Sequence, residues 1–208
     1  MAVVDLTMEY IGERVPPETI RMDIPLRSEQ TRYTGVVYKF INESMSGSYI
    51  DFPGHIAETD NGEYADNFSI ERVYRVPASV IRMHCRSGHG AVSGEDLEKA
   101  FGGVPSTETL IINALGEFDP RDVENRSVYL DHSAIDWIIA SGCRLLMSDI
   151  YESQALHGVF PKLFGAGITT VCMPVNLNQL PLPEVKLTVL FSKIPGVTQL
   201  PCRIVAEF

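Results

Sequence analysis

Twice in the middle of this chain a polar cap, a short amphipathic stretch, a glycine and a buried apolar run follow one another. Ser93-Gly94-Glu95-Asp96 has the form of a capping box, in which a serine hydroxyl and a carboxylate three residues on satisfy each other's backbone amides. The helix it opens is expected to end near Phe101, at Gly102-Gly103. The run Thr109-Leu110-Ile111-Ile112-Asn113-Ala114 is short and apolar, as in a strand buried on both faces. The pattern then recurs. Ser133-Ala134-Ile135-Asp136 reads as a second capping box, Ile135, Ile138 and Ile139 share a helical face, Gly142 closes the helix, and residues 145–149 form the next strand. Helix, glycine and strand in so few residues restrict the chain to an α/β layer.

The remaining segments add strands. Residues 3–6, 33–41, 76–83, 168–173, 185–191 and 202–208 are apolar or β-branched enough to read as strands, the last two joined through Pro195-Gly196. Residues 11–28 carry Pro16, Pro17 and Pro25 and read as a loop or an edge. Residues 57–67 are polar and read as a loop, and 158–164 as a short helix before Gly165-Ala166-Gly167. With no repeat and no linker, residues 1–208 are expected to form one domain.

Charge and cysteine usage exclude several classes of partner. The net charge is −10 and no basic stripe is present, so nucleic acid is not an expected ligand. No apolar run approaches the roughly 18 residues of a membrane span. The first seven residues have neither a basic region nor a long apolar segment, unlike a secretory signal. Cys85, Cys143, Cys172 and Cys202 make no CxxC and each lies in or beside an apolar stretch. They read as reduced thiols of a cytoplasmic protein.

The chemistry is concentrated in Ser46-Gly47-Ser48-Tyr49-Ile50-Asp51-Phe52-Pro53-Gly54-His55. Small residues permit a sharp change of direction, a short strand follows, and a Pro-Gly turn presents His55. Tyr49 and Asp51 are two apart, so on a strand they share a face. A phenol, a carboxylate and an imidazole can converge there.

This stretch resembles the motif His-x-Gly-Thr-His-x-Asp-x-Pro-x-His of the cyclase-like metal-dependent hydrolases, of the bacterial kynurenine formamidase type. Gly47, Asp51, Pro53 and His55 match, Ser48 replaces Thr, and the two histidines that ligate metal in the family fall on Met45 and Tyr49. Leu177-Asn178-Gln179-Leu180-Pro181 is similar to the family's Asn-Leu-x-x-Leu-Pro segment, so the resemblance covers nearly the whole chain. It implies a β-rich α/β fold, a mixed sheet or barrel-like core with peripheral helices. It also implies a homodimer or larger homo-oligomer, and a small-molecule substrate.

In the family a metal-activated water opens an amide, formamide or lactone. The family's later His and Glu ligands fall near Phe160 and on Cys172. Counted strictly, Asp51 alone survives of five ligands. No cofactor is therefore expected; were zinc or another divalent metal held, the set open to it is Asp51, His157 and Cys172. The resemblance keeps the proton-transfer residues instead: His55 as general acid and base, Asp51 assisting, Tyr49 donating to an oxyanion. Cys172 joins them as a candidate nucleophile, and Ser48, Phe52 and Phe160 as substrate-contacting residues.

Plainer readings stand beside these. His55 can tie a loop, Asp51 a turn, Tyr49 can fill space, and Cys172 can be a small core residue. His84, Cys85 and His89 form either a metal clip or a solvated loop. Asp149 and Glu152 either edge the pocket or cap locally. Three functions remain open: a metal-independent enzyme performing hydrolysis or elimination on a small carbonyl, amide or lactone; a zinc formamidase or lactonase with relocated ligands; and a small-molecule-binding paralogue without activity.

Overall fold

The apolar runs pair in parallel, and the chain's two long C-terminal strands then close the sheet. A computed structural model describes residues 2–9, 17–118, 120, 123 and 126–208. Among these, the strands are β1 (Val3–Asp5), β2 (Glu18–Arg27), β3 (Arg32–Ile41) and β4 (Tyr49–Asp51). There follow β5 (Val76–Arg82), β6 (Gly90–Val92), β7 (Thr109–Asn113) and β8 (Val128–Leu130). The last are β9 (Leu145–Ser148), β10 (Thr169–Cys172), β11 (Glu184–Phe191) and β12 (Gln199–Glu207). The helices are α1 (Gly94–Phe101), α2 (His132–Ala140) and α3 (Val159–Gly165).

The main sheet has the order β1-β12-β11-β5-β7-β9-β10-β4, and β4 also pairs with β12. That extra pairing closes seven strands into a barrel, as the β-rich α/β expectation required. β5, β7, β9 and β10 run parallel; β4, β11 and β12 join antiparallel. One edge of β12 carries two short strands end to end: β4 against Gln199–Pro201 and β1 against Val205–Glu207.

Strand alternation divides the core in two. Ile50, Phe52, Val80, Ile111, Met147, Val171, Leu187 and Ile204 fill the barrel interior. Ile81, Leu110, Ile112, Leu146 and Cys172 point outward, under the helices with Leu97, Ile135, Ile138 and Leu163. Burial on both faces explains why the parallel strands read as unbroken apolar runs.

The box at Ser93 is as expected: its hydroxyl accepts from Asp96 N, and the Asp96 carboxylate accepts from Ser93 N. The second helix begins two residues earlier than expected. Asp131 is its N-cap, accepting from Ala134 N, and also receives the Ser133 hydroxyl. Of the two readings of 11–28, loop or edge, the edge holds from residue 18 onward, and residues 11–16 lie outside the described residues. Glu18–Arg27 is a ten-residue strand, paired along its whole length with β3. Pro25 is tolerated because a two-stranded ribbon is all edge. Among the described residues no helix is long and apolar enough to cross a membrane.

Candidate functional site

The three-residue strand β4 lies between β10 and β12, and this places the site. Asp51 is opposite Thr170 on one side and opposite Gln199 on the other. Tyr49 is opposite Cys172. Two features hold β4 there. Gly47 takes φ +67°, and any Cβ on it would lie 2.8 Å from the Glu9 carbonyl oxygen. Ser48 Oγ accepts from Met8 N at 2.7 Å and donates to the Met173 carbonyl at 2.7 Å. After β4, Pro53 opens a single 3-10 turn that carries His55 to the surface.

Asp51 is 2 % exposed. Its Oδ1 has no hydrogen-bond partner, and its Oδ2 receives the Cys172 thiol at 3.7 Å. Burial raises its pKa to about 7, and Gln199 and Cys172 offset this only in part. Among the described residues no cation pairs with it. Near neutral pH the group therefore exchanges a proton.

His55 faces solvent along one edge, and its ring meets Phe164 edge-on at 6.4 Å. Partial burial holds its pKa below the usual histidine value. Gln199 Nε2 lies 3.3 Å from His55 Nε2. An amide nitrogen only donates, so His55 Nε2 accepts and its proton sits on Nδ1. The Gln199 carbonyl oxygen in turn receives the Ser44 hydroxyl. Gln199 thus joins the imidazole to the carboxyl. It is the residue that sequence reasoning missed; the available signal was a long polar side chain at a buried position beginning an apolar strand.

An aromatic wall backs this group. Tyr151 stacks on Phe160 at 5.1 Å, and Phe160 packs on Phe164 at 5.7 Å. The Tyr151 hydroxyl is spent on the Leu146 and Val171 carbonyls at 2.9 Å. Phe160 lies on α3, half-buried between Tyr151 and Phe164.

Several expected roles change with the geometry. Phe52 lies inside the barrel against Phe68 and Phe191, because it alternates with Asp51 and so faces the other way. It cannot touch a substrate held at Asp51. Ser48 spends its hydroxyl on two backbone partners and serves as a latch. Cys172 does not pair with His55: its thiol points to Asp51 and Thr170. Burial, then the Asp51 charge, raise its pKa well above the usual thiol value, so it is a protonated donor rather than a nucleophile. Cys85 is buried in the core, which removes the clip with His84 and His89. Glu152 caps α3, receiving the amides of His157, Gly158 and Val159. Asp149 receives the amides of Ala114 and Leu115.

His157 is also absent from the cluster. It is exposed, stacks on Tyr129 at 5.0 Å, and its carbonyl meets His132 Nε2. Around Asp51 the candidate metal donors are its own carboxyl, with Oδ1 unpartnered, and the protonated Cys172 thiol at Oδ2. A divalent site needs at least three protein ligands, and no group of three His, Cys, Asp or Glu is assembled among the described residues. The residues present do not fit a family-type metal.

Two recesses among the described residues stand out. One, about 150 Å³, lies at the barrel mouth beside Asn113, Asp149 and Gln179; the other, about 400 Å³, lies beside Tyr129, His132 and His157. Neither is lined by Asp51 or His55.

A family profile described as "Putative cyclase" matches residues 4–154. Solved structures match almost the whole chain. A structure described as a potential metal-dependent hydrolase with cyclase activity is 14% identical, with TM-score 0.72, over 99% of this chain and 96% of that one. Isatin hydrolase A from Labrenzia aggregata is 18% identical, with TM-score 0.72, over 99% and 93%. Isatin hydrolase A from Ralstonia solanacearum is 18% identical, with TM-score 0.73, over 99% and 91%. At such identities the likeness carries the fold. No curated protein matches the chain.

Proposed function

The chain belongs to the cyclase family, and from that premise we propose that it is an enzyme working by proton transfer between side chains, without a resident metal. The substrate class is a small carbonyl compound, amide or lactone, and the reaction hydrolysis or elimination. The observation that carries this reading is the pairing of the buried Asp51 carboxyl, which meets no cation among the described residues, with His55 through Gln199.

The two groups are shifted in opposite directions. Asp51 titrates near 7, and His55 below its usual value. Around pH 6.5 to 7 the favoured state is thus a protonated carboxyl beside a neutral imidazole, an acid and a base ready together. Once substrate or water displaces the Gln199 amide, the His55 Nε2 lone pair takes a proton from water or from the carbon next to a carbonyl. Asp51 gives its proton to the oxygen or nitrogen that gains charge. Tyr49, beside the same thiol on the shared strand face, is placed to donate to a developing oxyanion. Phe160 and Phe164 offer an apolar wall to a planar substrate.

The test uses isatin, aryl formamides and lactones with untagged protein, before and after chelator treatment. His55→Ala is expected to lower kcat/KM at least about 100-fold, with the melting temperature unchanged because His55 sits at the surface. The pH profile is expected to be a bell, rising as His55 loses its proton and falling as Asp51 does near 7. Asp51→Asn is expected to remove the alkaline limb. Full turnover by His55→Ala, or stoichiometric metal whose removal abolishes turnover, overturns the reading.

A second reading, binding without turnover, has one observation in its favour: neither recess is lined by His55 or Asp51. A ligand bound tightly and released unaltered, with no product from any probe, would support it.

A further inference from the structure

The parallel strands β5, β7 and β9 run toward one end of the barrel, and the recess of about 150 Å³ opens there. Ligands of α/β sheets commonly sit beyond the carboxyl ends of parallel strands. At the end of β7, Ile111 faces the barrel interior, and alternation turns Asn113 the same way. Asn113 is 1 % exposed and lines the recess, and its Nδ2 has no hydrogen-bond partner. An unpaired buried donor is costly, and an acceptor brought into the recess removes that cost.

An acceptor stands beside this donor. Asp149, just past β9, lines the same recess. Its two carboxylate oxygens receive the amides of Ala114, next to Asn113, and of Leu115, at 2.9 and 3.0 Å. Two amides leave a carboxylate capacity for a further N–H. The wall is already held in place. Asn176, at φ +61°, donates from Nδ2 to the Asp5 carbonyl at 2.9 Å, and Val175 N donates to the Leu6 carbonyl at 3.0 Å. Arg82, the register partner of Asn113 on β5, donates to the Leu177 and Leu180 carbonyls. Ligand sites are usually pre-formed in this way.

We propose that the barrel mouth is a second small-molecule site, for a neutral ligand with adjacent carbonyl and N–H groups: a primary amide, a lactam or a urea. The ligand carbonyl accepts from Asn113 Nδ2, and its N–H donates to Asp149. Charge argues against an anion. Asp149 and Glu117 line the recess and, among the described residues, no lysine or arginine does. Volume argues against a larger molecule, since drug-sized ligands fill about 300–1,000 Å³. The site lies apart from Asp51 and His55, and it stands whether or not those two turn a substrate over.

Titration of the ¹⁵N-labelled full chain with 2-pyrrolidinone tests the proposal. Saturable shifts are expected at the Asn113 side-chain amide and at the Ala114 and Leu115 backbone amides, with Kd on the order of millimolar for so small a ligand. N-methyl-2-pyrrolidinone keeps the carbonyl and lacks the N–H, and is expected to bind at least about 10-fold more weakly. Acetate is expected not to bind. Asn113→Leu, followed at Ala114 and Leu115, is expected to weaken 2-pyrrolidinone at least about 10-fold. The comparison of the two lactams needs only the natural sequence, so it decides the matter even where that variant fails to fold. No saturable shift up to about 50 mM, equal binding of the N-methyl lactam, or full affinity in a folded Asn113→Leu overturns the proposal. Shifts at Asp51 and Gln199 in place of Asn113 also overturn it, because they put the probe in the candidate active site.

Discussion

Asp51 couples stability to pH as well as serving the proposed chemistry. Its pKa in the folded chain is about 7, against 3.8 for the free group. Between those values the folded state binds the proton and the unfolded state does not. Stability therefore falls as pH rises from about 4 to about 7, and levels off above. The cost in the ionised state is of the order of a few kcal/mol. Asp51→Asn keeps the shape and removes the titration, so the variant is expected to gain stability at pH 8 and to show a flatter profile. Urea unfolding at pH 5 and pH 8 checks this: an equal pH dependence in both proteins would place the proton elsewhere. Cys172 moderates the effect without sharing it: its hydrogen bond lowers the Asp51 pKa, and its own pKa stays far above this window.

At the scale of elements the site depends on how β4 is held, and Gly47 is the point to test. Its φ of +67° and the 2.8 Å approach of the Glu9 carbonyl leave no room for a side chain. Gly47→Ala adds left-handed strain and pushes the N-terminal segment off Ser48, whose hydroxyl holds Met8 N and the Met173 carbonyl. A loss of about 2–4 kcal/mol is expected in denaturant unfolding, with activity falling in parallel because β4 carries Tyr49 and Asp51. The same strand shows what the sequence could and could not reveal. Alternation placed Tyr49 and Asp51 on one face, and the same rule turns Phe52 inward. Listing Phe52 for the substrate overlooked that period of two. Gln199 escaped because it meets Asp51 only through barrel closure, a pairing 148 residues apart by position that no local pattern encodes. The cap at Ser93 was legible because it is a local exchange of hydrogen bonds. The cap of α2 was displaced because Asp131 and Ser133 compete two residues apart, and the carboxylate took Ala134 N. Pro25 left the loop and edge readings of 11–28 both open, since a proline suits either, and only the pairing with β3 decides for the edge. β6 and β8, three residues each, have no apolar run long enough to announce them.

For the molecule as a whole, closure and projection predict opposite behaviours in a single experiment. The barrel has no free edge at β4, β10 or β12, and its strands are covered inside and out. Opening it requires breaking both cores at once, so the amides of β5, β7, β9 and β10 are expected to exchange only through global unfolding. The ribbon contributes nothing to either core, and in a lone chain its amides open locally at almost no cost. Exchange measured in dilute solution is therefore expected to be orders of magnitude faster over residues 18–41 than over the barrel. A ribbon protected as strongly as the barrel would mean that contacts beyond its own two strands hold it.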